Sequence, residues 1–362
     1  MRLLHRCLSL GELILASLAQ AAPAPANPDA HARKIIAEWQ RIVTPQGVNE
    51  QLTPLIGGIP QALSVRGRDK ANPLLLVIHG GPASPEMPMS WAYQSGWEDY
   101  FTVVQWDQRG AGKSYDLNDP ARVGPTLSLQ RIVQDAAEVV RFIQLRYGKP
   151  KVFVVGHSWG SLVGLSLAGQ HPELLYAYIG MGQVINGSDN ERASYAQTLK
   201  LAKTNASASA ELTALAPYPD AKGHVTLAQI NTERKWVMAL GGLVYGRDSL
   251  DYYSRLALLS PEYTRDNVAA IDHGAELSLP RLLPELLAFD FSDVTQFDCP
   301  ILMFAGRHDT TTPPSVTAAW MARVKAPKKA LVWFENSSHM MEIEEPGRVL
   351  VHLVNDVLPL AQ

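Results

Sequence analysis

The sequence predicts an α/β fold: a mostly parallel sheet with helices on both faces, into which a helical cap is inserted. Three observations carry this. Short uninterrupted apolar runs end at glycine turns, as strands buried on both faces do. Between these runs apolar residues recur at helical spacing, so strand, helix and strand alternate as they must in a sheet of parallel crossovers. The alternation then stops from Gln183 to Phe291, where no convincing buried strand occurs, and resumes afterwards.

Each element follows from its own stretch. "PLLLVIH" (73–79) is a strand stopping at "GGPASP", and "FTVVQW" (101–106) is a second strand leading into "DQRGAGKS". From Ser128 to Tyr147, Leu129, Ile132, Val133, Ala136, Val139, Val140, Ile143 and Leu145 fall on one helical stripe. "KVFVV" (151–155) is the third strand, "SLVGLSLAGQ" (161–170) a helix closed by His171-Pro172, and "LLYAYIGMG" (174–182) a further strand. After the cap come "ILMFAG" (301–306), a helix near 314–325, "ALVWFE" (330–335) and a helix from Pro346 to Leu358. The domain reading is therefore a core over 35–182, a cap over 183–291 and the rest of the core over 292–362. No internal repeat is present.

The N-terminus differs. A short basic start, "MRLLHR", precedes the apolar "CLSLGELILASLAQA", and Ala19-Gln20-Ala21 fits a small-x-small cleavage site. Residues 1–21 read as a signal peptide cut after Ala21, and 22–34, beginning "APAPANPDA", as a linker with ordered structure starting near Ile35. That predicts an exported protein, periplasmic or extracellular. No later apolar run is long enough to span a membrane. A net charge of −3 with no basic cluster speaks against nucleic acid as a partner. Of the two cysteines, Cys7 leaves with the leader, and Cys299 reads as a buried small apolar residue.

Chemistry concentrates at "VVGHSWGSLVG" (154–164). Gly156 and Gly160 flank Ser158 in the pattern G-x-S-x-G, where a sharp strand-to-helix turn holds the serine strained and exposed. A nucleophile needs a base and a group to orient that base. Sites in open α/β sheets lie beyond the carboxyl ends of strands. Asp309 in "ILMFAGRHD" and His339 in "ALVWFENSSHM" each stand just past a strand, in the order Ser158, Asp309, His339. Asp309 alone also reads as a cap for the helix that follows "TTTPP", with Asp290 and Asp293 as fallback acids. "HGGP" (79–82) offers the Gly81 N–H to a developing oxyanion, and the Trp159 N–H is the second donor. "GAGKS" (110–114) is not a phosphate-binding loop, because Asp107 stands where that motif needs glycine. No metal motif is present and no cofactor is implied.

With these residues in hand, the chain resembles the proline iminopeptidase family of α/β-hydrolases. "HGGP", "DQRGAGKS", "GHSWGS", "GRHD" and the histidine of "NSSHM" look like that family's successive signatures, over 73–182 and 300–358. The resemblance implies an α/β-hydrolase fold with Ser158 as nucleophile, His339 as base, Asp309 as its orienter, and Gly81 and Trp159 as oxyanion donors. Two departures are visible: "HGGPA" where members commonly carry "HGGPG", and His157 where they commonly carry glycine. The family's caps hold glutamates that bind a substrate's free amino terminus; the cap here contains Glu191, Glu233, Glu262 and Glu276, and Glu233 in "TERKWVMALGG" is the favoured candidate. The expected function is an aminopeptidase releasing N-terminal residues from short peptides through an acyl-enzyme. A carboxylesterase or lactonase with Tyr252, Tyr253, Trp236 and Phe289 lining an acyl pocket is the alternative, and a non-catalytic ligand-binding protein a remote one. Oligomeric state is not legible.

Overall fold

The computed structural model describes residues 29–361. The leader reading lies outside the described residues. Helix α1 (Ala30–Trp39) begins inside the segment read as linker and ahead of Ile35. Its "AHARKIIAEW" is rich in good helix formers, and the helix is tied down at Arg33, which donates to the Tyr263 carbonyl in the cap.

Eight strands form the sheet: β1 (Val48–Leu52), β2 (Leu63–Gly67), β3 (Leu74–Ile78), β4 (Thr102–Trp106), β5 (Val152–His157), β6 (Leu175–Met181), β7 (Ile301–Gly306) and β8 (Lys329–Phe334). Their order across the sheet is β1-β2-β4-β3-β5-β6-β7-β8. β1 pairs antiparallel with β2, and β2 with β4; every other pairing is parallel. β1 and β2 were not foreseen from the sequence. "VNEQL" is a half-exposed edge whose polar residues read as loop, and "LSVRG" lacks the apolar run of its buried neighbours.

Alternation along the strands builds two cores. Leu74, Leu76 and Ile78 of β3 pack under α2 (Leu129–Tyr147) and α3 (Trp159–Gln170), while Leu75 and Val77 face Trp97, Phe101, Met341 and Val349 on the other side. Ser128 caps α2 by accepting the Arg131 N–H at 3.1 Å, and Gly148 closes it in the left-handed region. Between β6 and β7 the regular elements are helices: α4 (Gly187–Leu201), α5 (Ala206–Ala214), α6 (Leu227–Ala239), α7 (Asp251–Leu259) and α8 (Arg265–Ala288), joined by turns and, after α5 and α6, by longer loops. Helices α9 (Pro314–Arg323) and α10 (Pro346–His352) complete the second part of the core.

From β3 the chain goes to β4 on one side and then crosses to β5 on the other, so the strand order reverses between β3 and β5. The crevice at such a reversal is where this class of sheet places its ligands. "HGGP" leaves β3 there and Ser158 leaves β5 there.

Close packing makes that junction possible. A Cβ on Gly160 would sit 2.0 Å from the Ile78 carbonyl oxygen, and one on Gly156 would sit 2.6 Å from the Gly160 oxygen. Both obstacles are backbone, so neither can swing aside. Gly160→Ala should therefore cost about 2 kcal/mol or more in urea unfolding, well above an ordinary helical Gly→Ala change, which stabilises. An unchanged or raised midpoint would show that α3 does not start against β3.

Candidate active site

Ser158 sits between the wholly buried β5 and the first residue of α3, with φ 53° and ψ −119°. Among the described residues only Ser158 and Ala83 combine a side chain with a positive φ. Such a backbone costs on the order of 1–3 kcal/mol and persists only where its surroundings enforce it. The Ser158 N–H donates to the Met181 carbonyl at 3.0 Å, which clamps the turn to the end of β6. His157 and Trp159 are buried, whereas Ser158 is partly exposed, so the hydroxyl is the group the turn presents.

Asp309 follows β7 and His339 follows β8. The His339 ring donates from Nδ1 to Asp309 Oδ2 at 2.8 Å, with both side chains buried. The carboxylate is held from its other side by Thr312, whose N–H donates to Oδ1 at 2.7 Å and whose hydroxyl donates to Oδ2 at 2.6 Å. Thr312 Oγ1 also lies 3.1 Å from His339 Nδ1. Asp309 thus ties off its own loop while holding the histidine, but it does not cap the next helix, whose N-cap position is Pro313. With Nδ1 as donor to a carboxylate, Nε2 is the basic nitrogen. Gly182, next to the Met181 that holds Ser158, lies against the same ring: a Cβ there would be 2.7 Å from His339 Cε1.

The proposed oxyanion donors flank Ser158. A Cβ on Gly80 would be 3.0 Å from Ser158 Cβ, so the "HGGP" turn abuts the serine, and Gly81 beside it is exposed. The Trp159 N–H opens α3 and is among the helix-start amides that have no intrahelical acceptor. In the polar scaffold behind them, polar contacts of Asp107 and Arg109 were expected, but the roles of Gln108 and His79 were not. The Gln108 side chain donates to the His79 carbonyl at 2.8 Å and accepts from Trp159 Nε1 at 3.1 Å. The Gln108 N–H donates to His79 Nε2 at 3.1 Å, and His79 Nδ1 donates to the Gly80 carbonyl at 2.9 Å. Burial pushes His79 down to about 4, so it is neutral, as those bonds require. The only sequence signal for this was the "DQRG" stretch. Its Asp107 accepts the Lys113 N–H at 2.8 Å and the Tyr263 hydroxyl, while its Arg109 forms a buried pair with Asp135 at 2.8 Å.

The cap residues sort differently from expectation. Glu233 is fully buried within the cap, where Ser194 and Thr198 donate to Oε1 at 2.8 and 3.0 Å and Arg234 pairs with Oε2. Arg234 also pairs with Glu191, whose other oxygen accepts from Tyr218 at 2.7 Å. Both glutamates are buried and already paired with Arg234, so the structure speaks against the choice of Glu233 for a substrate amine. The signal that misled was the apolar sequence after Glu233, which packs the cap interior. Trp236 belongs to that interior, and Phe289 stacks on Phe291 in the core at 5.0 Å. Tyr253 instead joins Met89, Val244, Ala257 and Met340 in an apolar cluster beside His339, with Tyr252 packed against it. Cys299 is buried and its thiol is pushed up to about 11 by burial. Among the described residues no group of side chains is placed to hold a metal, and no helix is long and apolar enough to cross a membrane.

A family model described as the alpha/beta hydrolase fold matches residues 73–346. The chain belongs to the α/β-hydrolase fold family. As a whole sequence this hydrolase is similar to the probable aminopeptidase YbaC of Bacillus subtilis (strain 168), 32% identical over 297 residues that make up 81% of this chain and 91% of that protein. Among solved structures it resembles a proline iminopeptidase-related protein of Thermus thermophilus, with a TM-score of 0.59 at 19% identity over 86% of this chain and 99% of that one. It likewise resembles a proline iminopeptidase of Mycobacterium smegmatis, with a TM-score of 0.56 at 17% identity over 87% and 98% of the two chains. At those identities the structural likeness speaks for the fold. The family match agrees with the α/β-hydrolase assignment made from the motifs and with a hydrolytic enzyme.

Thr312 gives the site a testable feature. Thr312→Val removes one of the two side-chain donors to Asp309 Oδ2 while keeping the backbone bond to Oδ1. The expected result is a fall of about tenfold in kcat with KM nearly unchanged, because only the aim of the imidazole is loosened. Steady-state kinetics on any turned-over substrate checks this, and a change confined to KM would remove Thr312 from that role.

Proposed function

We propose that this hydrolase is a serine aminopeptidase that releases N-terminal residues from short peptides through an acyl-enzyme. The observation that carries the chemistry is the buried 2.8 Å bond from His339 Nδ1 to Asp309, with the strained Ser158 turn clamped beside that histidine. Similarity to a probable aminopeptidase over most of both chains supports the substrate class.

In this reading His339 Nε2 takes the Ser158 proton as Oγ attacks the substrate carbonyl. Asp309 fixes the tautomer and stabilises the imidazolium that forms. The Gly81 and Trp159 N–H groups receive the tetrahedral oxyanion, each worth about 3 kcal/mol in the transition state. His339 returns the proton to the leaving amine. A water deprotonated by His339 then attacks the acyl-enzyme, and Ser158 leaves with that proton. No step calls for a cofactor. Residues 1–21 make an exported enzyme part of the same proposal.

A second reading, an esterase on small apolar acyl groups, is favoured by one observation. The cluster of Met89, Val244, Tyr253 and Met340 beside His339 is apolar, and Glu191 and Glu233 are occupied by Arg234. Turnover of a prolyl anilide and of a short-chain aryl ester, with Ser158→Ala alongside, separates the two. The aminopeptidase cleaves the anilide, loses that activity when the substrate amine is acylated, and falls by about 10⁴-fold or more in Ser158→Ala with the fold retained. Ester turnover alone supports the second reading, and near-normal activity in Ser158→Ala removes the assignment of the nucleophile.

Glu233→Gln now carries a different expectation from that of an amine-binding carboxylate. Leaving Arg234 with one buried partner should lower stability by about 3 kcal/mol while reducing anilide and ester turnover in the same proportion. A selective loss on the free-amine substrate would restore Glu233 as its ligand.

A further inference from the structure

His157, the residue before Ser158, is buried and bonded at both ring nitrogens. Its Nδ1 lies 2.6 Å from Glu86 Oε1, and its Nε2 lies 3.1 Å from the main-chain carbonyl oxygen of His339. A carboxylate and a carbonyl both only accept, so both ring nitrogens must donate, which makes the ring an imidazolium. Its centroid is 4.8 Å from that of the His339 ring. One side chain therefore bridges the loop after β3, the end of β5 and the loop after β8.

We infer that His157 is a positioning residue for the base: anchored on Glu86, it holds the His339 main chain in register with the adjacent Ser158. This rests on the proposal that His339 is the base for Ser158. His157 reaches no substrate in this role. It acts through the carbonyl it binds and through the positive charge it holds beside the His339 ring.

The surroundings are arranged to keep that charge. Burial opposes it, but the Glu86 and Glu342 carboxylates and the two bonds outweigh burial and hold His157 up to about 10. Glu86 lies in the loop after β3, and burial works against its charge too, yet the facing imidazolium keeps its carboxyl below the ordinary range. Glu342, on the one-turn helix Met341–Glu344, has both oxygens buried without a hydrogen-bond partner, and burial pushes it up to about 7. An unpartnered carboxylate this deep is explained if its counter-charge is the nearby imidazolium. The other titratable groups around this knot are Glu344, on the same short helix as Glu342, the neutral His79 at the end of β3, Tyr93, whose hydroxyl lies 3.4 Å from Glu86 Oε2, and Tyr253 of α7.

The test compares His157→Gln, which keeps an uncharged donor for the His339 carbonyl, with His157→Ala, which keeps none. The expected result is a fall of about thirtyfold in kcat for alanine with KM within about twofold, and recovery of most of it in the glutamine variant. In both, the acidic limb of the kcat/KM profile moves to higher pH by about half a unit or more, because a positive charge beside the base is gone. A purely structural role would lower the melting temperature and the fraction of active sites while leaving that limb in place. Wild-type kcat and limb in both variants, or an equal loss of kcat in both, overturns the inference. Should the alanine variant fail to fold, the limb of His157→Gln decides. Nitrogen NMR on 15N-histidine protein is independent of turnover: one doubly protonated ring should persist above about pH 8 and vanish in His157→Gln. Its absence from the wild type also overturns the proposal. Full activity in Ser158→Ala would instead sink the reading of the site while leaving the NMR signature standing, so the two failures are distinguishable.

Discussion

The contact between Gly160 and the Ile78 carbonyl is the constraint on which the site depends. α3 can begin immediately after β5 only if its first turn presses against the end of β3, and at 2.0 Å no side chain fits between them. That approach drives Ser158 into positive φ and lifts its hydroxyl out of an otherwise buried junction. It also fixes where the first amide of α3 lies relative to the "HGGP" turn leaving β3. Nucleophile and oxyanion donors are thus set by one backbone packing event rather than by separate side-chain choices. The strain at Ser158 is offset by the apolar contacts of β3, β5, α2 and α3, whose facing residues are almost wholly buried.

Around that junction polar side chains do the aligning, and each is bonded at more than one point. Gln108 joins the β3 end to α3 through the His79 carbonyl and Trp159 Nε1. Thr312 grips both oxygens of Asp309, and His157 ties the base loop to Glu86. In a buried setting a half-satisfied polar group costs more than a satisfied one returns. Such bridges therefore hold geometry tightly, and losing one partner is felt at the other end.

How much of this was legible follows from the kind of signal each feature leaves. β3, β4, β5, β6, β7 and β8 were readable because strands buried in a parallel sheet are nearly continuous apolar runs. The antiparallel edge, β1 and β2, was not, since an edge mixes polar residues into a short pattern that loops share. The turn around Ser158 and the strand-end positions of Asp309 and His339 are local, and they could be read from spacing. Thr312, Gln108 and Glu86 could not, because what they do depends on which loop comes to lie beside them. Glu233 shows the converse hazard: a carboxylate near aromatics looked like a ligand site, yet its counter-ion was Arg234, the next residue.

The cap is bonded to the same loops that carry the base and its orienter, so it is more than a cover. The Thr310 N–H donates to the Gly242 carbonyl at 2.9 Å, and the His339 N–H donates to the Leu243 carbonyl at 3.1 Å. Ser338 adds a third bond, from its hydroxyl to the Gly241 carbonyl at 2.9 Å. The segment after α6 thus supplies acceptors to residues on either side of the Asp309–His339 pair. Elsewhere Tyr263, at the foot of the cap, donates to Asp107 and accepts from Arg33 of α1 through its carbonyl. A displacement of the cap large enough to break the Gly241–Leu243 bonds would free backbone N–H groups at residues 310 and 339 together. The aim of the imidazole is therefore coupled to the seating of the cap, which makes substrate enclosure and alignment of the base parts of one structural state.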